Sequence, residues 1–576
     1  MHETYGTPIT RSRSLRWRWL LAVVAVLALA AAACGDSDDD AGFDFAEETE
    51  APDRDDGGEF RGGDAEELFT DDTEAADETE APSPAFDAEA PESTEAPAED
   101  AGETTDGGFF DEGGDDAEAE LAPDRDRTEG NTFQDYGVRS FVDTDRDPLS
   151  TFALDVDTAS YSIGRQWISE GAIPPTESVR VEEYVNSFEY DYSSPRDGLT
   201  VLADGGPSPF DQDNVIVRLG VQAEQVDERD RPDASLTFVI DTSGSMDQDG
   251  RIELVKASLI RLVEELRDED RIAIVTYGSD SRVWLEPTRV SDDDLIVEAI
   301  EALRPSGSTN LEAGLELGYG LADEMFDRDR INRVILTSDG VANAGLTDPD
   351  GLARMIRDDA DRGVQLISVG VGMGNFNDVV LETLANDGDG FYRYVNTRDE
   401  AEDLFSENLV SSLLTVAIDG KIQVEFDDDT VRSYRLLGFE NRAVRDDDFR
   451  DDDVDAGELG AGHQVTALYE LELWDRVDER DRLGTAQLRW EDPDSGEVIE
   501  TRLELDAGVV EARWADTSED FRLAVTAGAF AEKLRDSQYA RDLSFEQIAN
   551  EAEALRGRSA DVRELVELIW AMDRLA

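Results

Sequence analysis

The chain has 576 residues, an apolar fraction of 39% and a formal net charge of -86. That length exceeds what one hydrophobic core fills, so several domains are expected. The charge excludes nucleic acid, whose phosphates need a lysine- and arginine-rich surface, and it disfavours contact of the bare protein surface with anionic lipid.

The N-terminus reads as an address. Arg11, Arg13, Arg16 and Arg18 precede an apolar run from Leu20 to Ala33, the pattern of a secretory signal over residues 1–33. The run stops at the only cysteine, in Ala31-Ala32-Ala33-Cys34-Gly35. This resembles a bacterial lipobox, with Ala31 where leucine is usual. The resemblance implies acylation of Cys34 with palmitate-type chains, and so a lipid anchor on the extracytoplasmic face of the cell membrane. An ordinary signal peptide or a lone membrane anchor is the alternative. Without a second cysteine there is no intrachain disulfide, so stability must come from packing.

Residues 34–130 form an acidic spacer with Thr-Glu-Ala-Pro repeated at Thr49, Thr79 and Thr94. Low apolar content and heavy like charge predict disorder. As a coil of about 95 residues it would span ~55 Å.

Order is expected from Asn131, with a companion domain over 131–231. A strand through Phe152-Ala153-Leu154 runs towards a helix. Asp155, Asp157 and Ser160 suggest a metal site, but a helix cap at Asp157 or Thr158 explains the pattern more simply. Asp143-x-Asp145-x-Asp147 begins like an EF-hand loop and then fails, with Pro148 where glycine is needed and Leu154 where the terminal glutamate belongs. Pro174 and Pro175 precede an apolar-periodic stretch, Val179 to Phe188, and Val201 to Gln222 reads as strand.

Residues 232–415 alternate short β-rich runs with helical periods. Strands are predicted at Ser235 to Ile240, Ile272 to Tyr277, Val283 to Leu285, Arg333 to Thr337, Val364 to Val371 and Tyr392 to Val395. Helices are predicted over Ile252 to Leu266, Leu295 to Leu303 and Leu311 to Met325. The fold class is therefore α/β, with a central doubly wound, mostly parallel sheet covered on both faces. Ligands of such sheets bind beyond the carboxyl ends of the strands. Three loops there carry oxygen donors: Asp241-Thr242-Ser243-Gly244-Ser245, Ser306-Gly307-Ser308-Thr309-Asn310 and Thr337-Ser338-Asp339-Gly340. Two carboxylates and three hydroxyls suit a small hard cation. Gly244, Gly307 and Gly340 allow the turns that aim them inward.

The spacing Asp-x-Ser-x-Ser, a downstream threonine and a further aspartate resembles the metal-ion-dependent adhesion site (MIDAS) of von Willebrand factor A domains. The resemblance implies that Ser243, Ser245 and Thr309 contact the metal, with Asp241 and Asp339 acting directly or through water. It also implies Mg²⁺ (or Mn²⁺ or Ca²⁺) and a protein partner that presents its own Asp or Glu. The order of lipobox, acidic spacer, Thr151–Tyr192 block, A domain and the tail around Gly460 to Tyr469 is similar to a bacterial family of A-domain lipoproteins.

Beyond the A domain, Ile418 to Phe426, Ser433 to Phe439, Val465 to Leu473, Ala486 to Trp490 and Val498 to Leu505 read as antiparallel strands of a β-rich domain over 416–515. Together with Val201 to Gln222 they are expected to make one β-sandwich into which the A domain is inserted. Asp446 to Asp455 reads as a solvated loop. Residues 516–576 read as a helical unit with stripes at Phe521 to Leu534, Phe545 to Leu555 and Val562 to Leu575. His463 is expected to be structural.

The pattern thus predicts a surface-exposed lipoprotein that mediates protein–protein interaction or adhesion at the cell envelope. An enzyme is not expected. Cys34 would be acylated, no motif surrounds His463, and Gly250 to Ser258 only superficially resembles a phosphate loop. The alternatives are a structural envelope protein with a stabilising metal and a metal-dependent hydrolase.

Overall fold

The computed structural model describes residues 131–576, apart from 155, 249, 340–348, 373–375, 399, 401–403, 405–412 and 453. The signal segment, Cys34, the acidic spacer, Asp155 and Gly340 lie outside the described residues. Among the described residues no helix is long and apolar enough to cross a membrane.

Strands β1 (Val142–Asp143) and β2 (Leu149–Ala153) come first, then helices α1 (Ala159–Ser169) and α2 (Val181–Val185). Neither Asp157 nor Thr158 is seen to cap α1 with its side chain. Thr158 is the N-cap residue of α1, but its side chain makes no capping hydrogen bond. Asp157 accepts instead from the Tyr392 backbone N–H at 2.8 Å and from the Arg442 guanidinium at 2.9 Å. A charge-assisted bond to arginine outweighs a helix end for a buried carboxylate. A hairpin of β3 (Leu199–Pro207) and β4 (Val215–Ala223) follows.

The central domain runs β5 (Ala234–Asp241), α3 (Arg251–Glu265), β6 (Arg271–Tyr277), β7 (Arg282–Arg289), α4 (Asp293–Glu301), α5 (Leu311–Met325), β8 (Ile331–Ser338), α6 (Pro349–Ala360), β9 (Val364–Val371), α7 (Asp378–Asp387) and β10 (Phe391–Val395). Its sheet order is β10-β9-β8-β5-β6-β7, parallel except for the edge strand β7. Side-chain alternation along β5 explains the two covered faces. Leu236, Phe238 and Ile240 join Ile252, Val255 and Leu259 of α3 in one core, whereas Val239 faces Leu311 and Leu315 of α5 in another. Helices α6 and α7 are not among the predicted elements, although Leu352 and Ile356 in the one and Leu381, Leu384 and Ala385 in the other form buried stripes at helical spacing.

The chain then returns to the strands it left. β11 (Thr415–Phe426), β12 (Val431–Leu437), β13 (Gly457–Gly460), β14 (Gln464–Leu473), β15 (Arg482–Glu491) and β16 (Val498–Asp506) complete two antiparallel sheets. One has the order β1-β12-β14-β4-β3, and the other is β13-β11-β15-β16 with β2 paired to β11. Strands from before and after the central domain are hydrogen-bonded neighbours, with Val217 opposite Tyr469. Phe152, Val217, Leu219, Val424, Tyr469 and Leu488 share one core. Residues 131–231 and 416–515 therefore build a common β structure.

Helices α8 (Glu519–Leu534), α9 (Phe545–Glu553) and α10 (Ala560–Leu575) end the chain. They are not self-sufficient. Tyr161 of α1 and Val181 and Tyr184 of α2 pack with Phe530, Ile548 and Ile569, because short amphipathic helices are stable only with their apolar stripe covered. The run Asp446 to Asp455 is also not merely solvated. Asp446–Arg450 forms a 3₁₀ turn that buries Phe449, and the Thr151 hydroxyl donates to Asp446 at 2.6 Å.

Two buried ion clusters tie these parts together. Arg435 of β12 reaches Glu470 of β14 at 2.9 Å and Glu532 of α8 at 3.0 Å. Arg180, the N-cap residue of α2, pairs with Glu183 and, at 2.6 Å, with Asp378 of α7.

Candidate metal centre

Parallel strands β5, β8 and β9 end at one edge of the sheet, which brings Asp241 and Asp339 to adjacent strand ends. The Ser243 backbone N–H donates to Asp241 Oδ1 at 2.7 Å, and the hydroxyls of Ser243 and Ser245 lie 2.9 Å apart. The second loop is laced to the first. Ser306 N–H donates to Thr242 O at 2.5 Å, and Gly244 N–H donates to Gly307 O at 3.0 Å. Gly307 has φ +91°, and a Cβ there would overlap the Ser279 hydroxyl, so glycine is required by both conformation and space. This lacing holds Thr309, which is buried, beside the first loop. Asp339, also buried, directly follows β8. Its Oδ2 accepts from Arg251 Nη1 at 2.8 Å, and its Oδ1 has no hydrogen-bond partner among the described residues.

Electrostatics mark the place. Burial, and after it the charge of Asp339, pushes the Asp241 carboxyl up to about 7. Asp241, Ser243 and Ser245 are thus in direct contact, Thr309 is held through the backbone lacing, and Asp339 acts on Asp241 through its charge. Five oxygen donors, one of them an orphaned buried carboxylate oxygen, fit a hard divalent cation.

Three neighbours escaped the sequence reading. Arg251 opens α3 and turns back over Gly372, where a Cβ would collide with its side chain. Tyr277 ends β6 with its phenol buried below the loops. Burial first and the Asp241 charge next hold it well above its usual value. Ser338 donates to Asp241 Oδ2 at 3.4 Å. Only Ser338 left a signal, by sitting next to Asp339; the other two reach the site through tertiary packing. His463 lies elsewhere. Its Nδ1 accepts from Gly460 N–H at 2.9 Å and its ring meets Phe391 edge-on, at the amino end of β10 and so at the opposite edge of the sheet.

Residues 235–407 match the family described as von Willebrand factor type A domain. Residues 127–218 match that described as von Willebrand factor, and residues 411–575 that described as Uncharacterized protein YfbK, C-terminal. The chain is 35% identical over 468 residues to the Uncharacterized protein YfbK of Escherichia coli (strain K12), spanning 76% of this chain and 80% of that one. It is 26% identical over 293 residues to the Uncharacterized protein sll0103 of Synechocystis sp., spanning 49% and 67%. The solved von Willebrand factor type A structure from Catenulispora acidiphila aligns with 66% of this chain and 91% of its own, at 16% identity and a TM-score of 0.39.

Proposed function

Because the chain belongs to the family of Escherichia coli YfbK and carries a von Willebrand factor type A domain, we propose that it is a binding protein that grips a protein partner through a metal-ion-dependent adhesion site. Asp241, Ser243, Ser245, Thr309 and Asp339 hold the cation, Mg²⁺ or Mn²⁺ ahead of Ca²⁺. The observation that carries this reading is the pair of buried carboxylates at the sheet edge, where Asp339 keeps Oδ1 without a partner and Asp241 is raised to about 7. Such a pair is costly without a further positive charge.

Asp339 divides its oxygens. Oδ2 is committed to Arg251, and Oδ1 is left for the metal. The serine and threonine hydroxyls add donors without adding charge, so the site does not quench its ion. When bound, the cation supplies a coordination position that an Asp or Glu of the partner can take. The acidic surface repels such a partner at long range, but screening beyond ~8 Å leaves the ion decisive at contact. We place this activity at the cell envelope, with Cys34 acylated and residues 34–130 acting as the spacer.

Calorimetry of the full chain should show weak Mg²⁺ binding that is lost in Asp241→Ala and Thr309→Ala proteins that remain folded. Capture of envelope proteins should require Mg²⁺ and fail in EDTA. Equal capture in both conditions, unaffected by Asp241→Ala, would sink the proposal and leave a structural metal at most. For the anchor, labelled palmitate should enter the wild type and not Cys34→Ala; a wild type that takes up no label would refute acylation.

A further inference from the structure

The edge of the central sheet opposite Asp241 gathers a second set of acids. Asp389 lies in the turn between α7 and β10, Asp455 ends the acidic run before β13, and Glu458 lies within β13. One carboxylate oxygen from each falls within 4.8 Å of the other two. The A domain and the β flank thus contribute to one cluster. Asp419 stands beside it and accepts from Ala456 N–H at 2.9 Å.

Acidic groups alone are common on a protein as charged as this one. Glu458 adds an independent observation. It is nine-tenths buried, at 9% exposure, and its Oε1 has no hydrogen-bond partner among the described residues. Water is excluded from this oxygen, and no protein donor replaces it. The nearby basic groups are committed elsewhere: Arg333 donates to Leu413 O and Thr415 Oγ1, both at 2.8 Å, Lys421 to Asp451 O at 2.9 Å, and Arg442 to Asp157 at 2.9 Å. Burial and mutual repulsion push Asp389 up to about 7, Asp455 up to about 6 and Glu458 well above its usual value. A cleft of about 1010 Å³, lined in part by Arg333, Asp361, Asp389, Asp419 and Asp455, connects the cluster to solvent.

We propose that Asp389, Asp455 and Glu458 hold a second divalent cation, of the calcium class, that ties the base of the A domain to the β flank. Carboxylates and cleft water are the hard oxygen donors this ion takes, six to eight at a time. Oxygens on opposite sides of one calcium stand ~5 Å apart, in keeping with the spread of the three carboxylates. Asp389 moves with the A domain, whereas Asp455 and Glu458 belong to the flank, so the ion braces the junction against a pull exerted at the Asp241 edge.

The test counts calcium bound to the full chain after chelator stripping, by equilibrium dialysis, and follows the thermal midpoint with and without calcium. All variants share the acidic spacer, so loose binding there cancels in the differences. The wild type should hold one more ion than the Asp455→Asn/Glu458→Gln protein, and its calcium-dependent rise in midpoint should vanish in that variant. The same loss should appear in the Asp241→Ala background, which separates this site from the adhesion site. Asp455→Asn alone serves if the double variant misfolds, and should weaken binding at least tenfold. Equal stoichiometry and an equal midpoint shift in wild type and variants would overturn the proposal and show that the cluster is held by shared protons.

Discussion

Two regions of this molecule bury carboxylates, and they neutralise them in opposite ways. At the junction of the β structure and the helices, Glu470 and Glu532 close on Arg435, all three side chains almost fully buried, and Arg535 pairs with Glu532 as a second guanidinium. At the edge of the central sheet, Asp241 and Asp339 are as deeply buried, yet Arg251 serves only one oxygen of Asp339, and Asp241 is raised to about 7. Where the chain supplies its own guanidinium, the acids are structural fasteners. Where it supplies hydroxyls and leaves a carboxylate oxygen open, the arrangement suits the cation proposed above. Burial alone does not distinguish the two; the count of internal positive charge does.

The largest effect is expected at Arg435. Arg435→Ala leaves buried Glu470 without a guanidinium and Glu532 with Arg535 alone, and should cost ~3–5 kcal/mol of stability in a denaturant titration. A loss below ~1 kcal/mol would mean that the fastener reading is wrong. The metal edge should respond with the opposite sign. A carboxyl raised in the folded state favours folding at low pH, and that contribution is lost as pH rises from about 4 to about 7. Asp241→Asn should therefore stabilise the chelator-treated protein at pH 8 by on the order of 2 kcal/mol, and abolish the stabilisation the wild type gains from Mg²⁺. A destabilised variant in EDTA would place Asp241 among the fasteners.

His463 tests whether burial without a charge partner behaves as supposed. Burial and the Arg393 charge push its imidazole down to about 3. The stability this contributes is fully present above the unfolded value near 6.5 and drains away as pH falls towards 3, by about 1.4 kcal/mol per pH unit. Thermal midpoints of His463→Asn and wild type should diverge less at pH 5 than at pH 7. The smallest effect belongs to the surface. Arg450 pairs with Glu500 at 2.8 Å while more than half exposed, and Arg450→Ala should change stability by less than ~1 kcal/mol.

Legibility followed locality. The bounds of α5 and β9 matched their apolar periods, because each repeats a full buried stripe. Helices α6 and α7 were not predicted, although Leu352 and Ile356, and Leu381, Leu384 and Ala385, do mark a buried face on each. Asp241, Ser243 and Ser245 sit within five residues, and their meeting needs only one loop to turn. Asp339 could be added because a βα alternation returns the loop after β8 to the same edge, whereas Thr309 lies between α4 and α5 and rested on the family resemblance.

By itself the sequence determined the central α/β sheet, the oxygen-bearing loops and the strandedness of the flanks, since these depend on periodicity and on short spacings. Tertiary structure alone decided that β4 lies against β14, that α1 and α2 complete the C-terminal helices, and that Arg251 and Tyr277 attend the site. It also decided that Asp389 meets Asp455 and Glu458. These contacts join residues tens to hundreds of positions apart, and no local period encodes a partner that only the packing of the whole chain selects.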